Sequence, residues 1–143
     1  MKEMTINNPG ELPLAVQALL DYAGGRKKMA FTGEIGAGKT TFIQAFCRSL
    51  GVAEAEVVSP TFALINEYEY TTEEGKARPI YHMDLYRLED IEEALHIGIE
   101  DYLYNDDYCL IEWPELIEAL LPEDTVRIKL QIIGDSSRKI LFL

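Results

Sequence analysis

Positive charge is scarce in this 143-residue chain, where 13 Lys and Arg stand against 25 Asp and Glu for a net charge of −12. That sign excludes a protein that grips a nucleic-acid backbone with its own surface. The local basic cluster, Arg26-Lys27-Lys28, has no aromatic residues interleaved with it and reads as the solvated edge before a strand. Cysteine is also rare. Cys47 and Cys109 each lie within an apolar run, read as buried thiols, and offer neither a disulfide framework nor a metal-ligand spacing. No apolar run is long enough to span a membrane. Leu12, Ala15, Val16, Leu19 and Leu20 repeat at helical spacing and Glu3 and Glu11 spoil a positive leader, so this stretch reads as an amphipathic helix of a cytoplasmic protein. Repeats, low-complexity segments and long linkers are absent as well, and one domain over residues 1–143 is expected.

What the chain does have is Gly33-Glu34-Ile35-Gly36-Ala37-Gly38-Lys39-Thr40, which fits the phosphate-loop pattern G-x-x-x-x-G-K-[ST] at every fixed position. A triphosphate must be wrapped by backbone amides at close range, and glycine allows the turns this needs. The helix that follows points its positive dipole end at the same phosphates. Lys39 would reach the β- and γ-phosphates, and the Thr40 hydroxyl would sit on a Mg²⁺ ion shared with phosphate oxygens. The flanks agree. Lys28 to Thr32 reads as a buried strand, and Phe42, Ile43, Phe46, Cys47 and Leu50 fall at helical spacing before Gly51.

The remaining elements follow in order. Asn8, Pro9 and Glu11 signal the start of the first helix, which Gly24 and Gly25 end. A strand in the stretch from Val57 to Tyr70 and another over Ile80 to Leu85 make a hairpin around a polar loop. Asp90 caps a helix with Ile91, Ala94 and Leu95, interrupted at Gly98 before Ile99 to Leu103. Tyr108 to Ile111 reads as a buried strand that delivers Glu112 at its carboxyl end. Pro114 starts a helix with Leu116, Ile117, Leu120 and Leu121 on one face. Thr125 to Ile133 and Lys139 to Leu143 form a closing hairpin. The fold expected is α/β, a phosphate-loop NTPase-like three-layer arrangement with a mixed, partly antiparallel central sheet.

Such an enzyme needs a carboxylate at the end of a neighbouring strand, holding Mg²⁺ directly or through water. Two acids qualify, Glu112 and Asp84, and one of them would instead orient the attacking water. Thr61, past a proline-fixed turn, is either a hydroxyl for the γ-phosphate or metal, or a plain turn residue. Arg87 reads as a surface ion-pair partner. Trp113 is core, or an exposed ring for a base or partner. His82 and His96 are isolated and read as structural, and Tyr68, Tyr70, Tyr81 and Tyr86 as cross-strand pairs of the hairpin. The guanine-reading Asn-Lys-x-Asp segment is missing, which leaves adenine as the default base.

Gly33 to Phe42, Ser59-Pro60-Thr61-Phe62, Tyr81-His82-Met83-Asp84-Leu85-Tyr86-Arg87-Leu88 and Ile111-Glu112-Trp113-Pro114-Glu115 together closely resemble the bacterial TsaE (YjeE) ATPases in order and spacing. The departures are Phe62, where tyrosine is frequent, and Met83 at a variable apolar position. The resemblance implies a small ATPase required for N6-threonylcarbamoyladenosine at position 37 of tRNAs that read codons starting with A. It implies ATP and Mg²⁺ as ligands and a partner complex of the TsaD–TsaB type, which would handle the RNA in place of this acidic chain. Carried over by residue, it assigns the amides from Gly33 to Thr41 and Lys39 to the phosphates. Thr40 and Glu112 go to Mg²⁺, Asp84 to the metal or its water, and Thr61 to a nucleotide-sensing segment. Arg138 of the closing hairpin and the stretch from Asn8 to Glu11 would contact the nucleotide. Two other readings of the phosphate loop stand beside this one: a small-molecule kinase, against which the short chain and missing arginine-rich lid count, and a nucleotide-gated binding module with negligible hydrolysis.

Overall fold

The computed structural model describes residues 1–53 and 64–143. Among them, β1 (Lys2–Ile6), β2 (Lys28–Thr32), β3 (Ile65–Thr71), β4 (Ala77–Asp84), β5 (Tyr108–Glu112), β6 (Val126–Ile132) and β7 (Arg138–Phe142) form one sheet in the order β1-β7-β6-β2-β5-β4-β3. The four central strands, β6, β2, β5 and β4, run parallel. Antiparallel pairing is confined to the margins, where β3 joins β4 and β7 joins β6 and β1. This is the mixed α/β sheet that the hairpin signals predict. Parallel strands are covered on both faces, and Met29, Ala30 and Phe31 of β2 are accordingly fully buried in succession.

Helices cover both faces. α1 (Leu12–Ala23) and α2 (Lys39–Ser49) pack with Met29, Phe31, Ile80, Leu110 and Ile128 in one apolar cluster. On the other face α3 (Ile91–His96), α4 (Ile99–Leu103) and a 3-10 segment (Pro114–Leu120) cover Met83, Leu85, Cys109 and Ile111. Strand parity decides which side chain goes where. Ile80, His82 and Asp84 share the α2 face of β4, as Tyr108, Leu110 and Glu112 share it on β5, and the register pairs Asp84 with Glu112. Two acids thus end adjacent parallel strands on the side where the glycine loop lies.

Local signals account for most boundaries. The Asn8 side chain accepts from the Gly10 N–H at 2.8 Å and Glu11 accepts from the Asn7 N–H at 2.5 Å, but the residues they cap form a 3-10 turn (Pro9–Glu11) that leads into α1. Gly24, in the left-handed region at φ 58°, ends α1. Asp90 caps α3 by accepting from the Glu93 N–H at 3.0 Å.

Several expectations need correction. Residues 2–6, unassigned from sequence, form β1, whose strand character comes from pairing with β7 and not from its own pattern, since only Ile6 is buried. β4 starts earlier than expected and ends at Asp84, and Leu85 lies beyond the ladder. The segment after Pro114 is 3-10 and kinked at Ile117 (φ −111°, ψ 19°), not a continuous α-helix. The basic cluster is built into the fold. Arg26 donates to the Ala23 and Tyr22 carbonyls at 2.8 and 3.0 Å and so caps α1, while Lys28 is buried, with its ammonium donating to Asn105 Oδ1 at 2.7 Å and to the Asp107 carbonyl. The tyrosines meet rings elsewhere than across the hairpin: Tyr70 meets Tyr108, Tyr81 meets Tyr102 on α4, and Tyr86 meets Trp113. Both cysteines are buried, as expected. Among the described residues no helix is long and apolar enough to cross a membrane.

Candidate functional site

The loop from Gly33 to Gly38 joins the carboxyl end of β2 to the first turn of α2, at the strand ends where α/β sheets place ligands. Its backbone is committed to shapes that other residues resist. Gly36 and Gly38 lie at φ 85° and 100°, and Gly33 at φ 149° is so close to β6 that a Cβ there would sit 2.7 Å from the Leu130 carbonyl oxygen. The loop walls a cleft of about 390 Å³ whose other side is Asp84, Tyr86, Glu112 and Trp113. A second, more apolar cavity of about 200 Å³ shares Gly36, Ala37, Gly38 and Thr41 as its wall and reaches Ile6, Pro9, Leu12 and Arg138.

At the foot of the cleft, the Thr40 hydroxyl on α2 donates to the Glu112 carboxylate on β5, 2.8 Å from Oε1 and 2.9 Å from Oε2. Glu112 is only 3% exposed, and its Oε2 also lies 2.7 Å from Nε2 of fully buried His82 on β4. Asp84, on the neighbouring strand end, is partly exposed and accepts from the Tyr86 N–H at 3.1 Å. A hydroxyl and a carboxylate in contact, with a second carboxylate one strand away, are hard oxygen donors. They suit a small dication such as Mg²⁺, which takes few protein ligands and keeps several waters. Among the described residues no group of three or more His, Cys, Asp or Glu side chains is arranged to hold a metal ion by itself.

Lys39 is buried where α2 begins. Its ammonium donates to the Gly33 carbonyl and, at 3.4 Å, to that of Glu34, and it lies 3.8 Å from the centre of the Trp113 ring, a cation–π contact. Burial lowers its pKa, and the carboxylates of Glu112, Glu115 and Asp84 oppose that shift. Trp113 reaches this position from a left-handed backbone (φ 56°), which among the described residues no other non-glycine residue adopts. Tyr86 flanks it with ring centroids 5.0 Å apart. Ile35 at the loop's tip is exposed.

Of the residues singled out from sequence, the fold brings Lys39, Thr40, Asp84 and Glu112 to one cleft, together with Glu34 to Thr41 of the loop. Arg138 lies behind the loop. Its guanidinium donates to the carbonyls of Ala37 (3.0 Å), Gly36 (3.3 Å), Gly134 (3.0 Å) and Ser137 (2.9 Å), tying the closing hairpin to the phosphate loop. Arg87 is exposed, and Thr61 lies outside the described residues. His82, which like His96 reads from sequence as isolated, touches Glu112. Its position two residues before Asp84 was the available signal, because strand parity aims both side chains the same way.

Comparison with known proteins identifies the family. The family model described as "Threonylcarbamoyl adenosine biosynthesis protein TsaE" matches residues 6–140. The tRNA threonylcarbamoyladenosine biosynthesis protein TsaE of Bacillus subtilis is 38% identical over 135 residues, covering 94% of this chain and 80% of that protein. Its namesake from Treponema pallidum is 40% identical over 108 residues, 76% of this chain and 75% of that one. Among solved structures, that of Bacillus subtilis YdiB superposes with a TM-score of 0.70 at 30% identity, covering 99% of this chain and 83% of the other. With a family match running almost from end to end and a phosphate-loop NTPase-like fold to carry it, this chain belongs to the TsaE family.

Proposed function

We propose that this chain is a single-domain, Mg²⁺-dependent ATPase of the cytoplasm. It serves the formation of N6-threonylcarbamoyladenosine at position 37 of tRNAs that read A-starting codons by acting on a TsaD–TsaB type complex. The observation that carries the reading is the contact of Thr40 with Glu112 at the foot of a phosphate loop, with Asp84 on the adjacent strand end. Thr40 and Glu112 would hold Mg²⁺, and Asp84 would hold the metal's water or the attacking one. When bound, the metal neutralises charge that builds on the phosphate oxygens.

The chain's own residues do the rest. The loop amides and the α2 dipole bind the β- and γ-phosphates, and Lys39 moves from the loop carbonyls and the Trp113 face onto them. The two cavities share the loop as a wall, which supports a nucleotide lying across it, with the phosphates in the larger space and the adenine ring in the apolar one beside Ile6, Pro9 and Leu12. Arg138 holds the loop's shape from behind. Water would attack the γ-phosphorus as the bond to ADP breaks, giving ADP and inorganic phosphate, and Asp84 would orient that water or the metal's own.

The test is reconstitution of tRNA modification with TsaD and TsaB in the presence of the wild-type chain, the Lys39→Ala variant, or neither. Modification is expected with wild type alone. Hydrolysis by the isolated chain should be slow and should accelerate with the complex, since a group supplied by a partner is worth about 10³ to 10⁵ in related phosphoryl-transfer systems. Full modification with Lys39→Ala, or phosphate appearing on a small metabolite, would overturn the reading.

A further inference from the structure

We infer that His82 is a positioning residue that fixes the Glu112 carboxylate for the metal. The inference rests on the ATP and Mg²⁺ reading above and extends it to a side chain outside the cleft. Glu112 is buried on a strand end, and a glutamate has three side-chain torsions to fix before its oxygens face one point. Two contacts fix them here: the Thr40 hydroxyl on one side and His82 Nε2, 2.7 Å from Oε2, on the other. A metal arriving at Thr40 and Glu112 would take over lone pairs that the Thr40 hydroxyl uses. His82 reaches Oε2 from within the sheet layer and is itself fully buried, so its hold persists when the metal is in place.

The direction of the contact follows from chemistry. A carboxylate accepts, so Nε2 carries the hydrogen and donates. Among the described residues, neither His82 Nδ1 nor the amide nitrogen of Asn66 has a hydrogen-bond partner, both are buried, and the Cα of Asn66 is paired with that of His82 in the β3–β4 ladder. An apolar side chain would fill this position in the sheet without leaving a polar atom unpaired. A buried imidazole with one nitrogen unsatisfied has a cost, which the bond to Glu112 offsets. The arrangement is the familiar carboxylate–histidine support of metal sites with the roles exchanged: the carboxylate ligates and the imidazole steadies it.

The test compares His82→Leu with His82→Gln, whose side-chain amide keeps an N–H donor near the place of Nε2. Mn²⁺ binding to protein loaded with a non-hydrolysable ATP analogue, read by electron paramagnetic resonance, gives metal affinity without turnover. Analogue affinity in EDTA gives the metal-free reference. His82→Leu should weaken Mn²⁺ about 10- to 100-fold, with the EDTA value unchanged, and His82→Gln should recover most of the loss. Equal metal affinity in wild type and His82→Leu, or equal losses in both variants, overturns the inference. The wild-type protein supplies a check independent of variant folding: the His82 ring ¹⁵N and ¹H resonances should show hydrogen on Nε2 and should move when Mg²⁺ is added to the analogue-loaded chain. Hydrogen on Nδ1 alone, or resonances indifferent to Mg²⁺, overturns it too. A wild-type chain that binds no analogue defeats the ATP reading and this inference with it, whereas normal wild-type binding with an indifferent His82 defeats this inference alone.

Discussion

Glu112 is the side chain on which most of the site converges, and its removal has two separable consequences. Glu112→Ala strips the partner from the partly buried Thr40 hydroxyl and from fully buried His82 Nε2, and leaving the imidazole unpaired costs about 1 to 3 kcal/mol of stability. The variant should still fold, because the apolar clusters on both faces of the sheet are untouched. Its ATP hydrolysis with the partner complex should fall about 100-fold or more, since the ligand that would place the metal is gone. A thermal melt and a phosphate-release assay check both, and full activity would remove Glu112 from the metal. The cysteines give a pH prediction. Burial pushes the Cys47 and Cys109 thiols up from 9.0 to about 12. The unfolded chain therefore sheds these protons first, so their contribution is present below about pH 9 and is lost as pH rises toward 12. Urea unfolding across that range should show a steeper decline in wild type than in a Cys47→Ala/Cys109→Ala variant, and parallel slopes would contradict the burial of these thiols. Residues of this kind differ in how legible they were. Lys39, Thr40 and Glu112 announced themselves by motif or strand end, whereas a lone histidine in an apolar strand looks the same whether it fills space or steadies a ligand. The geometry across two strands distinguishes these, and no single window of sequence contains it.

At the scale of elements, the phosphate loop is held by what lies behind it as much as by its own glycines. β6 passes so close to Gly33 that a methyl group there would meet backbone, which cannot swing aside, and φ 149° is itself a conformation that alanine resists. Gly33→Ala should destabilise the chain by about 1 to 3 kcal/mol. Gly75, in the β3–β4 turn, also has a positive φ, at 84°, but open space where its Cβ would be. Gly75→Ala should therefore cost less. Denaturant midpoints of the two variants decide the matter, and equal losses would mean that the contact with Leu130 does not constrain the loop. The parts of the fold read correctly from sequence, β2 with its loop and α2, β5 with Glu112, α3 from its Asp90 cap and the closing hairpin, each carry their signal within a few residues. β1 does not, because an edge strand with one buried residue draws its shape from β7, over a hundred residues away. The 3-10 segment after Pro114 was also missed as such, since its apolar spacing suits an α-helix while the backbone at Ile117 departs from one.

For the whole molecule, sign of charge and topology work together. A net charge of −12 is the basis for the proposal that a protein partner, and not this chain, grips the tRNA backbone. The sheet gathers the phosphate loop, Asp84 and Glu112 at the carboxyl ends of its central strands, so a nucleotide bound there as proposed would lie beside the exposed Ile35 and Tyr86. The family membership supplies the pathway, and the site supplies a proposal for the chemistry. The proposal stands or falls on whether an adenine nucleotide and magnesium meet in this cleft. Isothermal titration of ADP and of a non-hydrolysable ATP analogue into the purified chain, with Mg²⁺ and with EDTA, puts that question directly. The account predicts saturable binding strengthened by Mg²⁺ and greatly weakened in Lys39→Ala at unchanged thermal stability. Heats indistinguishable from dilution in the wild-type protein, or binding that neither magnesium nor Lys39 affects, would contradict it.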